Sequence, residues 1–156
     1  MARFVRSRSS PLILGGLLAV MLGVLFGLGL FTAAYARGTS YLEDNPEACA
    51  NCHIMREQFI AWNQGSHRAV ATCNDCHTLH DPIGKWVSKG INGFNHSLAF
   101  TTGSFPDPIR IKQFNADIVQ ASCIGCHQTA VSQVYGWHDD QSRRCVDCHG
   151  NVGHDT

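Results

Sequence analysis

The stretch "CANCHIM", residues Cys49 to Met55, decides the fold of this chain. A Cys-x-x-Cys pair followed directly by His is typical of covalent c-type haem attachment. The motif occurs four times in the 156 residues and uses all eight cysteines. These are Cys49, Cys52, Cys73, Cys76, Cys123, Cys126, Cys145 and Cys148. The repeat therefore predicts four covalently bound c-type haems.

Two other protein classes use many cysteines, and both explain less of this pattern. A disulfide scaffold gives no reason for a His after every second Cys, and a zinc ribbon leaves the same four histidines as coincidence. The charges are balanced, with 12 Lys and Arg against 12 Asp and Glu. Without a basic excess, nucleic acid is not expected as a partner.

An apolar run over residues 12–34 precedes the motifs. As a helix rising about 1.5 Å per residue it would span roughly 34 Å, enough to cross a hydrocarbon core of about 30 Å. Three arginines and no acidic residue lie before the run, which predicts a cytoplasmic N-terminus. A signal peptide cleaved near Ala36 is the alternative, but the apolar part of a signal is only about 7–15 residues long.

These features predict three segments of an inner-membrane protein: a cytoplasmic N-terminus over 1–11, a transmembrane anchor over 12–36 and a periplasmic tetrahaem domain over 37–156. Small residues recur at every fourth position of the anchor, at Gly15, Ala19, Gly23 and Gly27. Such a stripe permits close helix–helix contact in lipid and hence a homodimer. Glycine and alanine are, however, also common in membrane helices that do not pair.

The periplasmic part is predicted to be mainly α-helical, with little regular secondary structure beyond short helices over 46–64, 82–101 and 111–123. Macrocycles rather than side chains would supply most of its apolar core. The four motifs form two similarly spaced pairs, and a histidine, His67 or His138, precedes the second motif of each pair. This repeat predicts two di-haem halves packed against each other.

Each haem iron needs axial ligands, and imidazole suits haem iron well. The histidines of the motifs are placed as proximal ligands: His53, His77, His127 and His149. Five histidines remain, a surplus that matches the demand for distal ligands. We expect at least two of them to bind iron, in the order His67, His154 and His138, with His80 and His96 as weaker candidates.

Met55 stands two residues after His53, close enough to compete with it for the first iron. A thioether ligand raises the reduction potential of a haem relative to two imidazoles. Such a haem would suit electron uptake from a quinol, which is a comparatively weak reductant. The alternative is that Met55 is a core methionine at the start of a helix, which is a common role for this residue.

Several features together resemble the NapC/NirT family of membrane quinol dehydrogenases, and within it the small subunits of cytochrome c nitrite reductases. They are the single anchor, the two pairs of motifs, CxxCHxM at the first motif, "SH" before the second and "NVGH" after the fourth. The resemblance implies that the chain takes electrons from menaquinol and passes them through four haems to a periplasmic pentahaem nitrite reductase, which makes ammonium. The chain would be the quinol dehydrogenase and not the nitrite-reducing subunit.

The resemblance also implies roles for particular residues. Met55 would ligate the first haem, and His67 and His154 match distal-ligand positions. Lys89 matches a lysine that lines the quinol pocket. His96 follows it by seven residues, where relatives can have Asp, so it is either a distal ligand of the first haem or the base that takes a quinol proton. The family pattern further allows one haem to take a ligand from the partner subunit.

The segment around Lys89 contains the groups that a quinol site needs, namely apolar side chains for the tail and polar groups for the protons. Trp86 favours a membrane interface, while Lys85 and Lys89 can alternatively reach toward anionic headgroups.

Two other functions stay open at this point. The same quinol module could serve a nitrate, trimethylamine N-oxide or hydroxylamine system, or the chain could be a passive electron carrier without a quinol site.

Overall fold

The computed structural model describes residues 9–135 and 143–154. The α-helices in these ranges are α1 (Ser9–Tyr35), α2 (Pro46–Cys49), α3 (Arg56–Gln64), α4 (Cys73–His77), α5 (Pro82–Thr102), α6 (Gln113–Cys126), α7 (Gln128–Tyr135) and α8 (Cys145–Cys148). Three 3-10 turns, Gly38–Leu42, His53–Met55 and Ser66–Ala69, lie between them. No strand occurs in the described ranges, so the predicted mainly α-helical fold is confirmed. Regular structure is more extensive than expected.

The chain divides into two compact units, Met1–Thr39 and Ser40–Thr156. The first unit is built on α1, whose segment Pro11–Tyr35 is long and apolar enough to cross a membrane. Side chains added at Gly15, Gly23 and Gly27 would meet nothing within 4 Å. The small-residue stripe is therefore open on the helix surface. The assignment of 1–11, 12–36 and 37–156 to cytoplasm, membrane and periplasm stays a prediction.

The second unit buries few apolar side chains of its own. Ile118 is the only hydrophobic residue that is fully buried among those described, and the other buried residues include Ser88, Lys89, Asn92 and Ser122. A domain of this length normally encloses a sizeable core of its own side chains. A chain that lacks one fits the prediction that haem macrocycles complete the core.

The four motifs follow one another in space as they do in sequence. The helix of each motif contacts that of the next, α2 with α4, α4 with α6, and α6 with α8. The most extensive of these contacts joins α4 to α6, across the expected boundary between the two di-haem halves. The motifs thus form one continuous row.

Helix α5 is the longest element of the second unit and matches the predicted helix over 82–101 within one residue. Asp81 caps its start, because Oδ1 accepts a hydrogen bond from the Gly84 amide at 2.7 Å, and Pro82 occupies the first turn. Gly103 ends it in the left-handed region at φ 66°, which favours glycine. The predicted helix over 46–64, by contrast, is interrupted at the first motif.

Candidate functional site

The first motif differs from the other three in its backbone. In the second and fourth motifs both cysteines lie on one short helix, α4 or α8, and in the third they end α6. In the first motif α2 ends at Cys49, the backbone at Cys52 is extended (φ −81°, ψ 112°), and the turn His53–Met55 follows. This difference agrees with the expectation that the first haem has its own ligation.

The two candidate ligands of the first motif have different surroundings. Met55 is half-buried, whereas His53 is exposed. The ring of His53 lies edge-on against Phe100, with 6.1 Å between the ring centroids. Among the described residues, no second imidazole lies in ring contact with His53, whereas the histidines of the second and third motifs each face one.

Two of the predicted distal ligands face histidines of the motifs. The ring centroids of His67 and His127 are 6.0 Å apart, with 72° between the ring planes. Those of His77 and His154 are also 6.0 Å apart, with the planes nearly parallel at 11°. Two metal–imidazole bonds of about 2.0–2.1 Å, together with the distance from each nitrogen to its ring centre, account for such a separation. Both pairs therefore fit an iron atom between the rings.

The ring chemistry of these histidines also suits metal binding. Nδ1 of His67 lies 2.9 Å from the carbonyl oxygen of Val152. A carbonyl oxygen can only accept, so Nδ1 carries the proton and Nε2 keeps its lone pair for a metal. Burial, and then the neighbouring His154, lower the pKa of His77 to about 4. His77 is therefore neutral at pH 7, which is the form that binds metals.

The remaining histidines have other environments. His80 places Nε2 2.8 Å from the Asp75 carbonyl oxygen and 3.3 Å from Ser122 Oγ, so it bridges α4 and α6. His149 follows α8 at the fourth motif, and His138 lies outside the described residues. In the described ranges no group of three or more His, Cys, Asp or Glu side chains converges as the ligands of a zinc ribbon would.

Lys89, the predicted quinol-site residue, is buried against the loop that precedes the first motif. Its side chain is only 5% exposed. Nζ donates to the Glu43 carbonyl oxygen at 2.8 Å and makes longer contacts with the Tyr41 carbonyl oxygen at 3.3 Å and Asp44 Oδ1 at 3.4 Å. It also lies 5.7 Å from the ring centroid of Trp86, within cation–π range. The ammonium thus has one short and two long polar contacts.

Asp44 connects Lys89 to the second motif. Its carboxylate accepts hydrogen bonds from Lys85 Nζ at 2.6 Å and from Asn74 Nδ2 at 2.7 Å. These two bonds lower the pKa of Asp44 below its ordinary value, so the group is ionised at neutral pH. Sequence reasoning missed Asp44 because its partners lie 30 to 45 residues away along the chain.

His96 and Lys89 both contact Tyr41, which the sequence did not single out. The Tyr41 and His96 rings meet edge-on with 6.2 Å between their centroids. A side chain at Gly93 would lie 3.2 Å from Tyr41 Cε1, so the glycine allows this approach. Burial raises the pKa of Tyr41 to about 12, and its phenol stays protonated. Desolvation and then Lys112 lower the pKa of His96, whose ring is consequently neutral at pH 7.

These contacts place the two predicted catalytic residues beside the first motif. Lys89 Nζ contacts the Tyr41 carbonyl oxygen and the His96 ring meets the Tyr41 ring, and Tyr41 lies in the segment that precedes Cys49. The site therefore combines a buried cation that donates hydrogen bonds with a neutral imidazole that can accept a proton. A hydroxyl compound bound here would lie next to the place where the first haem is attached.

Comparisons with known proteins identify a family of c-type cytochromes. The profile of the NapC/NirT cytochrome c family, N-terminal region, matches residues 10–116. Cytochrome c-type protein NrfH of Wolinella succinogenes is 33% identical over 146 residues, covering 86% of this chain and 82% of the relative. Cytochrome c nitrite reductase subunit NrfH of Nitratidesulfovibrio vulgaris is 32% identical over 153 residues, covering 96% of this chain and 89% of the relative.

A solved structure is also similar over most of its length. It is the crystal structure of a cytochrome c nitrite reductase NrfHA complex bound to the HQNO inhibitor, in which one chain matches with a TM-score of 0.65 and 31% identity. The match covers 92% of this chain and 90% of the solved one. The family profile covers the apolar helix and the first two haem motifs, and the relatives and the shared fold cover most of the chain. This chain therefore belongs to the NapC/NirT cytochrome c family.

Proposed function

We propose that this chain oxidises menaquinol at the membrane surface and passes the electrons to the catalytic subunit of a periplasmic pentahaem nitrite reductase. The observation that carries the proposal is the placement of Lys89 and His96 beside the first haem motif. A passive electron carrier has no use for a buried ammonium and a neutral imidazole at that position. The similarity to NrfH subunits and to a nitrite reductase complex supports the choice of partner.

Four c-type haems would be held by the eight motif cysteines. The facing rings suggest His77 and His154 as ligands of the second iron, and His127 and His67 as ligands of the third. When bound, the haems supply one-electron acceptors and a route away from the quinol. The family resemblance also allows the partner subunit to provide a ligand to one haem.

Near the first motif, Lys89 binds the quinol oxygen and His96 accepts its proton. The contacts of Lys89 Nζ with the Tyr41 carbonyl and Asp44 are long, so a quinol oxygen can replace either one while the short bond to the Glu43 carbonyl is kept. Ionised Asp44 keeps the lysine charged and therefore a donor. His96, whose lowered pKa keeps the ring neutral at pH 7, has a free nitrogen that can accept the quinol proton.

The exposed apolar side of α5 would contact the quinol tail as the quinol enters from the lipid. Its apolar residues occur at helical spacing and are exposed: Ile83, Val87, Ile91, Phe94 and Leu98. At about 100° per residue they fall on one side of the helix, and Lys89 and His96 fall together on the other. An amphipathic helix of this kind lies in the membrane interface with its apolar side toward the acyl chains.

The orientation of the chain follows from this role. We place the N-terminus in the cytoplasm, α1 across the inner membrane and the haem unit in the periplasm. The open stripe at Gly15, Gly23 and Gly27 would allow α1 to pack against a second copy of the chain.

Reconstitution in liposomes tests the function directly. The haem-loaded chain should be reduced by a menaquinol analogue, and adding the pentahaem reductase with nitrite should yield ammonium. His96→Ala should lose most of the reduction by quinol while dithionite still reduces every haem, because only proton acceptance is removed. Equal rates for His96→Ala and the unaltered chain would argue for a passive carrier. Reduction without transfer to the nitrite reductase would favour a different terminal reductase.

Met55→Leu tests the special ligation of the first haem. Leu keeps the volume of Met but has no sulfur, so the substitution should change the potential of one haem and leave three unchanged. The change should be accompanied by slower reduction by quinol, because this haem is the one nearest Lys89. Potentiometric titration followed by visible spectroscopy measures both effects. Four unaltered potentials would show that Met55 is a core residue only.

A further inference from the structure

The segment after the fourth motif, residues 149–154, contacts the ligand sets of three haems. His149 belongs to the fourth motif, Val152 contacts His67, and His154 faces His77. We call this segment the C-terminal clamp. Within six residues it thus reaches groups assigned to the fourth, third and second haems, although those groups are far apart in sequence.

The clamp approaches the His67 turn closely. A side chain at Gly65 would lie 3.1 Å from the Gly153 carbonyl oxygen, closer than most real contacts of this kind. The Gly65 backbone (φ −76°, ψ 163°) is in a region open to any residue. Glycine is therefore needed at this position for the approach of the clamp and not for the conformation of the turn.

The same approach fixes the orientation of His67. The carbonyl oxygen of Val152 accepts the Nδ1 proton at 2.9 Å, which leaves the lone pair on Nε2, and the His127 ring centroid lies 6.0 Å from that of His67. Such a bond to the far nitrogen sets the tautomer and ring orientation of a metal-ligating histidine and raises its basicity. Two residues later the same backbone presents His154 to His77.

We propose that the C-terminal clamp couples the axial ligation of the second and third haems. The Val152 carbonyl is the positioning group for His67, and Gly65 allows the clamp to approach the His67 turn. The proposal rests on the ligands assigned under the proposed function. A displacement of the clamp would move His154 and release the His67 ring together, so it would change the ligation of both haems.

Gly65→Ala in the full-length, haem-loaded chain tests this coupling. The added methyl group would lie 3.1 Å from the Gly153 carbonyl oxygen and 3.3 Å from that of Trp62, so the clamp and the turn must separate by a few tenths of an ångström. EPR spectra and potentiometric titration should then show two haems changing together and two unchanged. His67→Met and His154→Met identify which signals belong to the third and second haems. Gly90→Ala is the matched control, because its added methyl group meets nothing within 4 Å.

Each outcome decides the proposal. A joint change of the two identified signals in Gly65→Ala, absent in Gly90→Ala, supports it. A change in one signal only, in neither, or equally in both glycine variants overturns it. If His67→Met and His154→Met leave the spectra unaltered, the ligand assignment is wrong and the coupling with it. None of these readouts uses quinol, so they stand whether or not the chain oxidises menaquinol.

A measurement on the unaltered chain covers the case in which Gly65→Ala fails to assemble. The Nδ1 proton of His67 is bonded to Val152 and should exchange slowly with deuterium, as followed by ENDOR of the third haem. Fast exchange, like that of a ring nitrogen open to water, would refute the positioning role of the clamp.

Discussion

Lys89→Leu should lower the rate of menaquinol-analogue oxidation by about a hundredfold, the usual loss on removing one preorganised hydrogen-bond donor from an active site. Leu is uncharged and apolar but shorter than Lys, so it removes the ammonium and keeps an apolar group on α5 in place of the lysine stem. The haem content by pyridine haemochrome and the reduction by dithionite should stay unaltered. A rate equal to that of the unaltered chain would mean that quinol is oxidised elsewhere or not at all.

Lys85→Leu is the matched control for this variant. Lys85 lies one turn earlier on α5 and pairs with the same Asp44 at 2.6 Å, but its side chain is 31% exposed. An exposed ion pair contributes only about 0–1 kcal/mol, so its loss should leave the oxidation rate within about twofold. If both variants were equally slow, the charge of the α5 surface, and not a hydrogen bond to quinol, would be the cause.

Lys89→Leu should also lower the stability of the second unit. The Glu43 carbonyl oxygen would lose the bond of 2.8 Å that Lys89 makes to it. The carbonyl keeps the hydrogen bond that Asn74 Nδ2 donates to it at 3.1 Å, so the loss is that of one hydrogen bond to a charged group, about 1.5–3 kcal/mol. Rates should therefore be measured well below the unfolding temperature, which is determined for each variant by following haem absorbance on heating.

His154→Met should raise the potential of one haem, the second, by on the order of 0.1 V, a modest part of the about 0.8 V that axial ligands control. Its ring faces His77 at 6.0 Å, and a thioether in place of the imidazole stabilises the reduced iron. Potentiometric titration measures the shift, and the low-spin EPR signal of the same haem should change with it.

His80→Gln is the control for that measurement. His80 is a histidine of the same region, but its Nε2 contacts the Asp75 carbonyl oxygen and Ser122. Glutamine can keep a hydrogen bond there, so all four potentials should be unaltered. A shift in a haem potential with His80→Gln would indicate that His80 is an iron ligand. No shift with His154→Met would indicate that His154 is not one.

The haem sites could be predicted from sequence because each is a local pattern. Cysteines three residues apart lie on one side of a helical turn and can bind the same macrocycle. The histidine that follows is then placed to ligate the iron. All the residues that attach and ligate the haem on this side therefore lie within five consecutive positions. The helix over 82–101 was equally predictable, since Asp81, Pro82 and the apolar spacing are local signals. Lys89 was found only by resemblance to a family.

Other features depend on contacts between distant residues. The sequence did not predict Tyr41 and Asp44, because their importance comes from α5, which follows them by about 50 residues. The motif spacing predicts two di-haem halves packed against each other, and only the structure shows that α4 and α6 make the most extensive contact between them. The spacing along a chain does not determine which helices pack.

The sequence by itself determined the number and position of the haem-attachment motifs, the apolar helix and the amphipathic α5, because these depend on residues within a few turns of each other. Only the tertiary structure decided that His67 faces His127, that His154 faces His77, and that a buried lysine joins the loop before the first motif. The physical reason is that an iron ligand or a buried charge needs a partner at bonding distance. Folding brings such partners together from segments that the order of residues leaves far apart.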